Sequence, residues 1–246
     1  MEITCKNCNH IYKGHYCNNC GQPAATHKIN AHYLWHEIRH SLLHFDEGIP
    51  YSIKQLFTRP GHSIREFIEG KRVRHFKPLS LVVVLATFYG LLYHSFHINL
   101  YDNTSNPNID IGQFNEWSSK HYSWIIIVTI PFFTLGTYLS FRKQGYNFVE
   151  YFVLNTYKAS QKLFAHLIIF PLVLYNNGKP ELHKIMIAVY IIDLILTFWT
   201  NIQFFNKISK IKALLLSILS QLIFWASFLL TIGVIASLLG YSSFIN

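Results

Sequence analysis

Beyond Cys20 the sequence contains no cysteine. All four, Cys5, Cys8, Cys17 and Cys20, fall in the first 20 residues of a 246-residue chain. A disulfide framework running through the body of the protein is thereby excluded. Charge is scarce as well, at 13% against roughly 25% in ordinary soluble domains. It is also uneven: residues 1–78 hold 11 of the 21 basic and 6 of the 12 acidic residues, and from residue 79 onward long apolar runs dominate. The two parts are built for different solvents. The opening Met-Glu-Ile-Thr-Cys-Lys lacks the basic start and apolar stretch of a secretory signal. The first long apolar run, nearly 80 residues in, is expected to insert as an anchor and stay. There is no GxGxxG, P-loop, HExxH or GxSxG pattern, and no pair of carboxylates in an acid/base setting, so no enzymatic activity is expected. A net charge of +9 would suggest nucleic acid in a soluble protein. Here the cations flank apolar runs. Membrane orientation and anionic lipid explain them more simply, and no nucleic-acid partner is expected.

The four cysteines read C-x2-C, eight residues, C-x2-C-G. Two residues between thiolates let one tight turn aim both sulfurs at one ion. Two such turns complete a tetrahedral shell suited to Zn2+. Iron is a second possibility on the same donor set, and two disulfides a third, which a reducing cytoplasm disfavours. His10 and His15 inside the loop are read as bystanders. A segment this short buries little apolar surface, so the metal would supply most of its folding free energy. Four protein ligands leave no open coordination position, which argues for structure or docking over catalysis. Residues 1–26 are therefore expected to form a zinc knuckle with Cys5, Cys8, Cys17 and Cys20 as its ligands.

Residues 27–77 read as cytoplasmic amphipathic and juxtamembrane helices. Over 27–45, Ala31, Leu34, Trp35, Ile38, Leu42 and Phe45 share one helical face, and His32, His36, His40 and His44 recur on the other. The stripe is read as a polar face, with a metal site and a pH-sensitive face as alternatives. A short helix is expected over 51–57. Arg59-Pro-Gly61 is a turn signal, and Ser63 with Glu66 makes an S-x-x-E capping box that starts a helix at Ile64. Lys71, Arg72, Arg74 and Lys77, with His75 among them, then precede the first apolar run. They are a candidate lipid or partner surface, or a topology signal.

These strings carry a resemblance. The knuckle ends in Cys17-Asn-Asn-Cys-Gly-Gln22, followed by Asp46-Glu-Gly48 and Leu56-Phe-Thr-Arg-Pro-Gly61. Next come Ile64-Arg-Glu-Phe-Ile-Glu-Gly-Lys-Arg72 and Phe76-Lys-Pro-Leu79. Together they resemble an uncharacterised bacterial membrane family, domain of unknown function 3667. The resemblance covers residues 1–80 by motif and the remainder by helix pattern. It implies a zinc-ribbon-like start and a multi-pass membrane body, and it assigns no activity and no catalytic residue.

A helix needs about 20 mostly apolar residues to cross a bilayer. Residues 79–98, 122–141 (with Pro131 as a kink), 151–175, 185–205 and 213–239 are the expected spans within a 78–246 bundle. Lys71, Arg72, Arg74 and Lys77 put the N-terminus in the cytoplasm. Asp102, Asp110 and Glu116 put the 99–121 loop outside, and Arg142 with Lys143 returns the chain inside. Lys207, Lys210 and Lys212 are inside only if the polar third segment also crosses, which places the C-terminus outside. That segment carries Glu150, Asn155, Lys158, Gln161, Lys162 and His166, and Asp193 lies in the middle of span four. Asp193, Glu150, Asn155, Lys158 and His166 form a candidate intramembrane polar site. Pairing of Asp193 with His166 would serve the bundle's stability, and a proton or ion pathway is the alternative. The expected architecture is an all-α membrane protein of the bacterial inner membrane: a five-helix transmembrane bundle with an N-terminal zinc knuckle and amphipathic cytoplasmic helices. The leading expectation for function is a non-enzymatic adaptor or assembly factor that binds membrane lipids and a cytoplasmic protein through the N-terminal segment. A small transporter or channel-like protein is the alternative.

Overall fold

The computed structural model describes residues 2–26, 28–31, 48–98, 116–118 and 120–238, with the backbone alone at 236. Residues 28–30, at the expected start of the histidine-striped helix, are not helical; residues 32–45 of that expected helix and most of the 99–121 loop lie outside the described residues.

The N-terminus folds as a two-stranded antiparallel ribbon, β1 (Ile3–Thr4) and β2 (Ile11–Tyr12), in the register Ile3 to Tyr12 and Thr4 to Ile11. Two helices follow, α1 (Gly48–Thr58) and α2 (Pro60–Glu69). The body consists of α3 (Pro78–Ser95), α4 (Tyr122–Phe141), α5 (Phe148–Tyr175), α6 (Glu181–Phe204) and α7 (Lys210–Leu238). Helix α4 continues through Pro131. Four of these, α3, α4, α6 and α7, are long and apolar enough to cross a membrane. Helix α5 has 28 residues, about 42 Å at 1.5 Å per residue, but it is too polar to meet the same standard.

The polar residues of α5 face neighbouring helices. Glu150, Asn155, Lys158, Gln161 and His166 are all buried, and α5 packs on α1, α2, α3, α4 and α6. Its start is fixed by a reciprocal capping box: the Asn147 side chain accepts from the Glu150 N–H, and the Glu150 carboxylate accepts from the Asn147 N–H. This satisfies two of the orphan donors at the helix N-terminus.

Helix α2 begins earlier than the expected capping box would place it. Pro60 occupies its first turn with Arg59 as N-cap, because proline's fixed φ and missing N–H suit that position. Ser63 is therefore one turn inside the helix, its N–H donating to the Arg59 carbonyl at 3.0 Å. Glu66, freed from capping, takes a two-point ion pair with Arg59, at 2.8 and 3.2 Å. The same helix lies across the end of α6. Arg65 donates to the Phe204 carbonyl at 2.8 Å, covering one of the carbonyls that a helix C-terminus leaves open. The Gly61 N–H donates to Gln203 Oε1 at 3.2 Å. A Cβ on Gly61 would overlap the backbone of Gln203 and Phe204.

Gly61→Ala is accordingly expected to force α2 off the end of α6 and to destabilise the protein by ~1–3 kcal/mol, as overpacking does. Thermal melting of the purified variant in detergent measures the loss. An unchanged melting temperature would refute the close approach.

Candidate metal centre and polar cavity

The two cysteine turns are built alike. In the first, the Cys5 N–H donates to the His10 carbonyl and the Asn9 N–H to the Cys5 carbonyl, both at 2.9 Å. In the second, the Cys17 N–H donates to the Gln22 carbonyl at 2.9 Å and the Gly21 N–H to the Cys17 carbonyl at 2.8 Å. The fifth residue of each turn, Asn9 or Gly21, has positive φ, 59° and 74°, the region that glycine and asparagine tolerate best. All four Sγ atoms lie within 4.8 Å of one another. Cys5 and Cys20 are 3.5 Å apart, and Cys8 and Cys17 3.6 Å. Sulfurs ~2.3 Å from a shared tetrahedral ion would be roughly 3.8 Å apart, so the donor set fits one metal. The separations are too long for disulfides. The N–H of His10 and the Asn19 side chain hold the Cys8 thiol down to about 6, favouring its thiolate, and burial pushes Cys5 up to about 11. The apolar core here is Cys5, Tyr12 and Cys17, with a few partly covered neighbours. So small a core contributes little, and a metal held by the four thiolates would supply most of the folding free energy.

The knuckle is seated on the rest of the protein. Gln22 is 2% exposed. Its amide donates to the Gly70 carbonyl at 2.8 Å and accepts from the Arg72 N–H at 3.3 Å. Gly70 is the C-cap of α2. Lys6 and Thr26 bond to each other at the same edge, and Asn147 of the α5 cap donates to the Ile29 carbonyl at 3.0 Å. Sequence reasoning used Gln22 as part of a motif and missed this role. A glutamine following a metal turn was its sole signal.

The four basic candidates divide. Lys71 pairs with Glu66 at 3.6 Å. Arg72 donates to the Phe67 carbonyl at 3.1 Å and lies over the Phe67 ring. Arg74 and Lys77 are exposed. The loop holding them is pinned at Phe76, whose N–H donates to Ser52 at 2.7 Å and whose carbonyl accepts from the Tyr157 hydroxyl at 2.7 Å. His75 packs edge-on against Tyr51 and Phe67, and burial pushes it down to about 4. Burial raises Glu66, but Arg59 and Lys71 more than offset this and leave its carboxyl below the usual value.

Within the body, the polar groups form cross-helix bonds. Lys158 donates to Asn201 at 3.2 Å, and Asn201 to Ser217 at 3.0 Å. Thr200 donates to Gln161 at 3.0 Å, and Gln161 to the Leu56 carbonyl at 2.6 Å. Thr137 joins Asn155 at 3.3 Å and Ser220 at 3.2 Å. His166 Nε2 and Asp193 Oδ1 are 2.9 Å apart. A cavity of about 240 Å3 lies between α4, α5, α6 and α7, with Asn155, Lys158, Lys162, His166 and Asp193 among its lining. A smaller one of about 40 Å3 adjoins it, lined by Tyr89, Tyr93, Tyr122 and His166. Of the five candidate polar-site residues, the structure brings Asn155, Lys158, His166 and Asp193 to one cavity. Glu150 is elsewhere, occupied as a helix cap. Lys162 lines the cavity, although sequence reasoning left it out of the candidate site.

Residues 46–90 match the family model described as protein of unknown function (DUF3667). The matched stretch runs through α1, α2 and the basic loop into α3, and it contains the Arg59-Pro-Gly61 clamp. The resemblance read from the motifs holds there, and the four-cysteine cluster fits the same family's zinc-ribbon-like start. No curated protein and no solved structure matches the chain.

Chelation is expected to release one metal ion per chain and to unlock residues 3–24, read by native mass and hydrogen exchange. A chelator that changes neither would refute the metal centre. Acid is expected to loosen the α1–α2 layer in two overlapping windows. Unfolded His75 takes up a proton near 6.5 and folded His75 only near 4. The unfolded state therefore binds more protons as pH falls through that range, and stability declines until both forms are protonated. The depressed Glu66 carboxyl adds stability above its ordinary value of 4.5, lost as pH falls through its folded value. His75→Phe should flatten the upper window in melting curves taken from pH 7 to about 3 and leave the lower one.

Proposed function

We propose that the chain is a multi-pass protein of the bacterial inner membrane that admits a small polar ligand or ion into the cavities between its helices, as a small transporter or channel-like protein does. It performs no covalent chemistry. The observation that carries this reading is that His166 lines both cavities. The two chambers meet at His166 and Tyr122, which line both, and His166 is paired there with Asp193 of the larger chamber, midway along α6. Intramembrane ionisable groups facing a cavity mark substrate or ion paths. Zn2+ fills the four-thiolate centre, and the knuckle's role is to brace α2 and the basic loop. Five spans, α5 included, put Lys71, Arg72, Arg74 and Lys77 on one side with Arg142, Lys143, Lys207, Lys210 and Lys212. That side is the cytoplasm by the positive-inside rule, and the C-terminus is outside.

The adaptor reading is favoured by a separate observation. Ile11 and Tyr16 are 60% and 67% exposed on the knuckle, and they would offer a cytoplasmic protein an apolar contact, as the exposed Arg74 and Lys77 of the basic loop would offer a charged one.

The body's lack of cysteine makes the test clean, since any thiol modified beyond residue 20 is an introduced one. Ala159→Cys is expected to react with a small water-soluble thiol reagent, because Ala159 lines the cavity. Ser209→Cys is expected to react from the cytoplasmic face alone. An unreactive Ala159→Cys in a folded protein would sink the cavity reading, and labelling of Ser209→Cys from outside would sink the five-span topology.

A further inference from the structure

Lys158 and Lys162 stand four residues apart on α5, hence on one face, and both line the larger cavity. Two ammoniums side by side between apolar helices, Lys158 buried and Lys162 partly so, repel one another and are costly to hold there unless counter-charge is supplied. The ion pairs among the described residues are Lys13–Glu2, Arg59–Glu66, Lys71–Glu66 and His166–Asp193. None involves Lys158 or Lys162. Asp193, the carboxylate lining the cavity, is committed to His166 at 2.9 Å. Glu150, the carboxylate of α5, is engaged in the helix cap. The groups that touch the two lysines are neutral: the Asn201 amide oxygen for Lys158, 3.2 Å away, and the Phe133 ring for Lys162, with the centroid at 4.9 Å. Asp193 acts on Lys162 across the cavity without forming an ion pair with it, which leaves one carboxylate against two ammoniums. Each ammonium has three donors. The cavity is thus a pocket with a surplus of positive charge and unspent hydrogen-bond donors.

We infer that the cavity holds a phosphate group, with Lys158 and Lys162 as its counter-charges. This rests on the cavity reading above. Its volume of about 240 Å3 is below the ~300–1,000 Å3 of pockets that enclose a drug-sized ligand, so it takes a headgroup and not a whole lipid. Access points to a lipid as the source. Trp225 forms part of the cavity wall and is 42% exposed, on a stripe of α7 shared with the exposed Leu222 and Leu229. Acyl chains attached to a bound headgroup would leave along that apolar opening. The depth agrees. Lys158 bonds Asn201, three residues before the end of α6 at Phe204. That is about 5 Å below the helix end at 1.5 Å per residue, close to the headgroup level of the cytoplasmic leaflet. A free phosphate entering from the cytoplasm has the same chemistry and is the other source.

The test uses the full-length chain, delipidated in a neutral detergent and examined by native mass spectrometry with phosphatidylglycerol, phosphatidylcholine or inorganic phosphate added. The expected result is one tightly retained phosphatidylglycerol per chain, with Lys158→Gln/Lys162→Gln weakening it by about tenfold or more, as loss of a buried charge partner does. Arg74→Gln/Lys77→Gln on the exposed loop should keep that tight site, and Lys162→Arg, which preserves the charge, should retain the lipid. Should the double variant fail to fold, Lys162→Gln alone carries the comparison. Saturation by inorganic phosphate with no lipid preference supports the phosphate site and assigns the soluble source. Equal retention of phosphatidylcholine and phosphatidylglycerol, with no phosphate bound, overturns it, as does phosphate or lipid binding that is the same in wild type and the lysine variants. Labelling of Ala159→Cys on the same delipidated preparation separates the failures. A reactive cysteine with no anion effect overturns the phosphate assignment alone, and an unreactive one overturns the cavity reading as well.

Discussion

An amide, ammonium or carboxylate placed between apolar helices must find a partner, because no water is at hand to replace it. Much of the body is arranged around that requirement as it falls on α5. Gln161 reaches both α6 and α1, through Thr200 and the Leu56 carbonyl. Asn155 reaches α4 through Thr137, and Thr137 reaches α7 through Ser220. Lys158 reaches α6, and α6 passes the connection to α7 through Asn201 and Ser217. Each bond is modest in strength, but together they fix which faces of the helices meet. Close packing of small residues does the rest, as where Gly136 brings the backbone of α4 against Ser220 of α7. The cavity is the place where this network stops short of filling the space.

A second arrangement ties the N-terminal region to the bundle. The Arg59-Pro-Gly61 string acts as a unit. Pro60 starts α2, Gly61 allows contact with the end of α6, and Arg59 returns to Glu66 one helical face along. Arg65 then closes on the open carbonyl of Phe204. A motif that looks like a turn in one dimension is a clamp in three, set over the end of the helix that carries Asp193 at its middle. The basic loop continues from this clamp, and its backbone at Phe76 is gripped by α1 and α5 together.

The parts legible from sequence were those set by spacing or by long averages. Two C-x2-C pairs determine a four-sulfur cluster almost by themselves, since the turn that satisfies one pair is short and local. Apolar runs of 18 or more residues located α3, α4, α6 and α7 within a few residues, because solvent selects them over a whole window. The 166–193 pairing was within reach, since a mid-span carboxylate leaves few ways to be satisfied. Individual side-chain roles were less accessible where two local rules competed. Ser63 and Glu66 satisfy the capping pattern, yet Pro60 three residues earlier sets the helix start. Glu150 counted as a site candidate by charge, and its true function depends on Asn147 three residues earlier, a pairing that marks the start of α5. Lys162 and Lys158 look equivalent in one dimension. Only the positions of α4 and α6 reveal that both line one space and that neither forms an ion pair with a carboxylate.

The amide of Gln22 is used at both ends, with its NH2 toward the Gly70 carbonyl and its oxygen toward the Arg72 N–H. The two backbone groups it meets have opposite polarity, and a side chain of matching length must present a donor and an acceptor side by side to answer them. A carboxylate of the same shape would set a lone pair against the Gly70 carbonyl, and an aliphatic chain would leave both groups dry and unanswered. The knuckle is therefore keyed to the end of α2 as a peptide group would be in a sheet, through complementary polarity and not through charge. Such a joint is indifferent to salt. It holds or releases according to whether the second cysteine turn, which carries Gln22, keeps its shape.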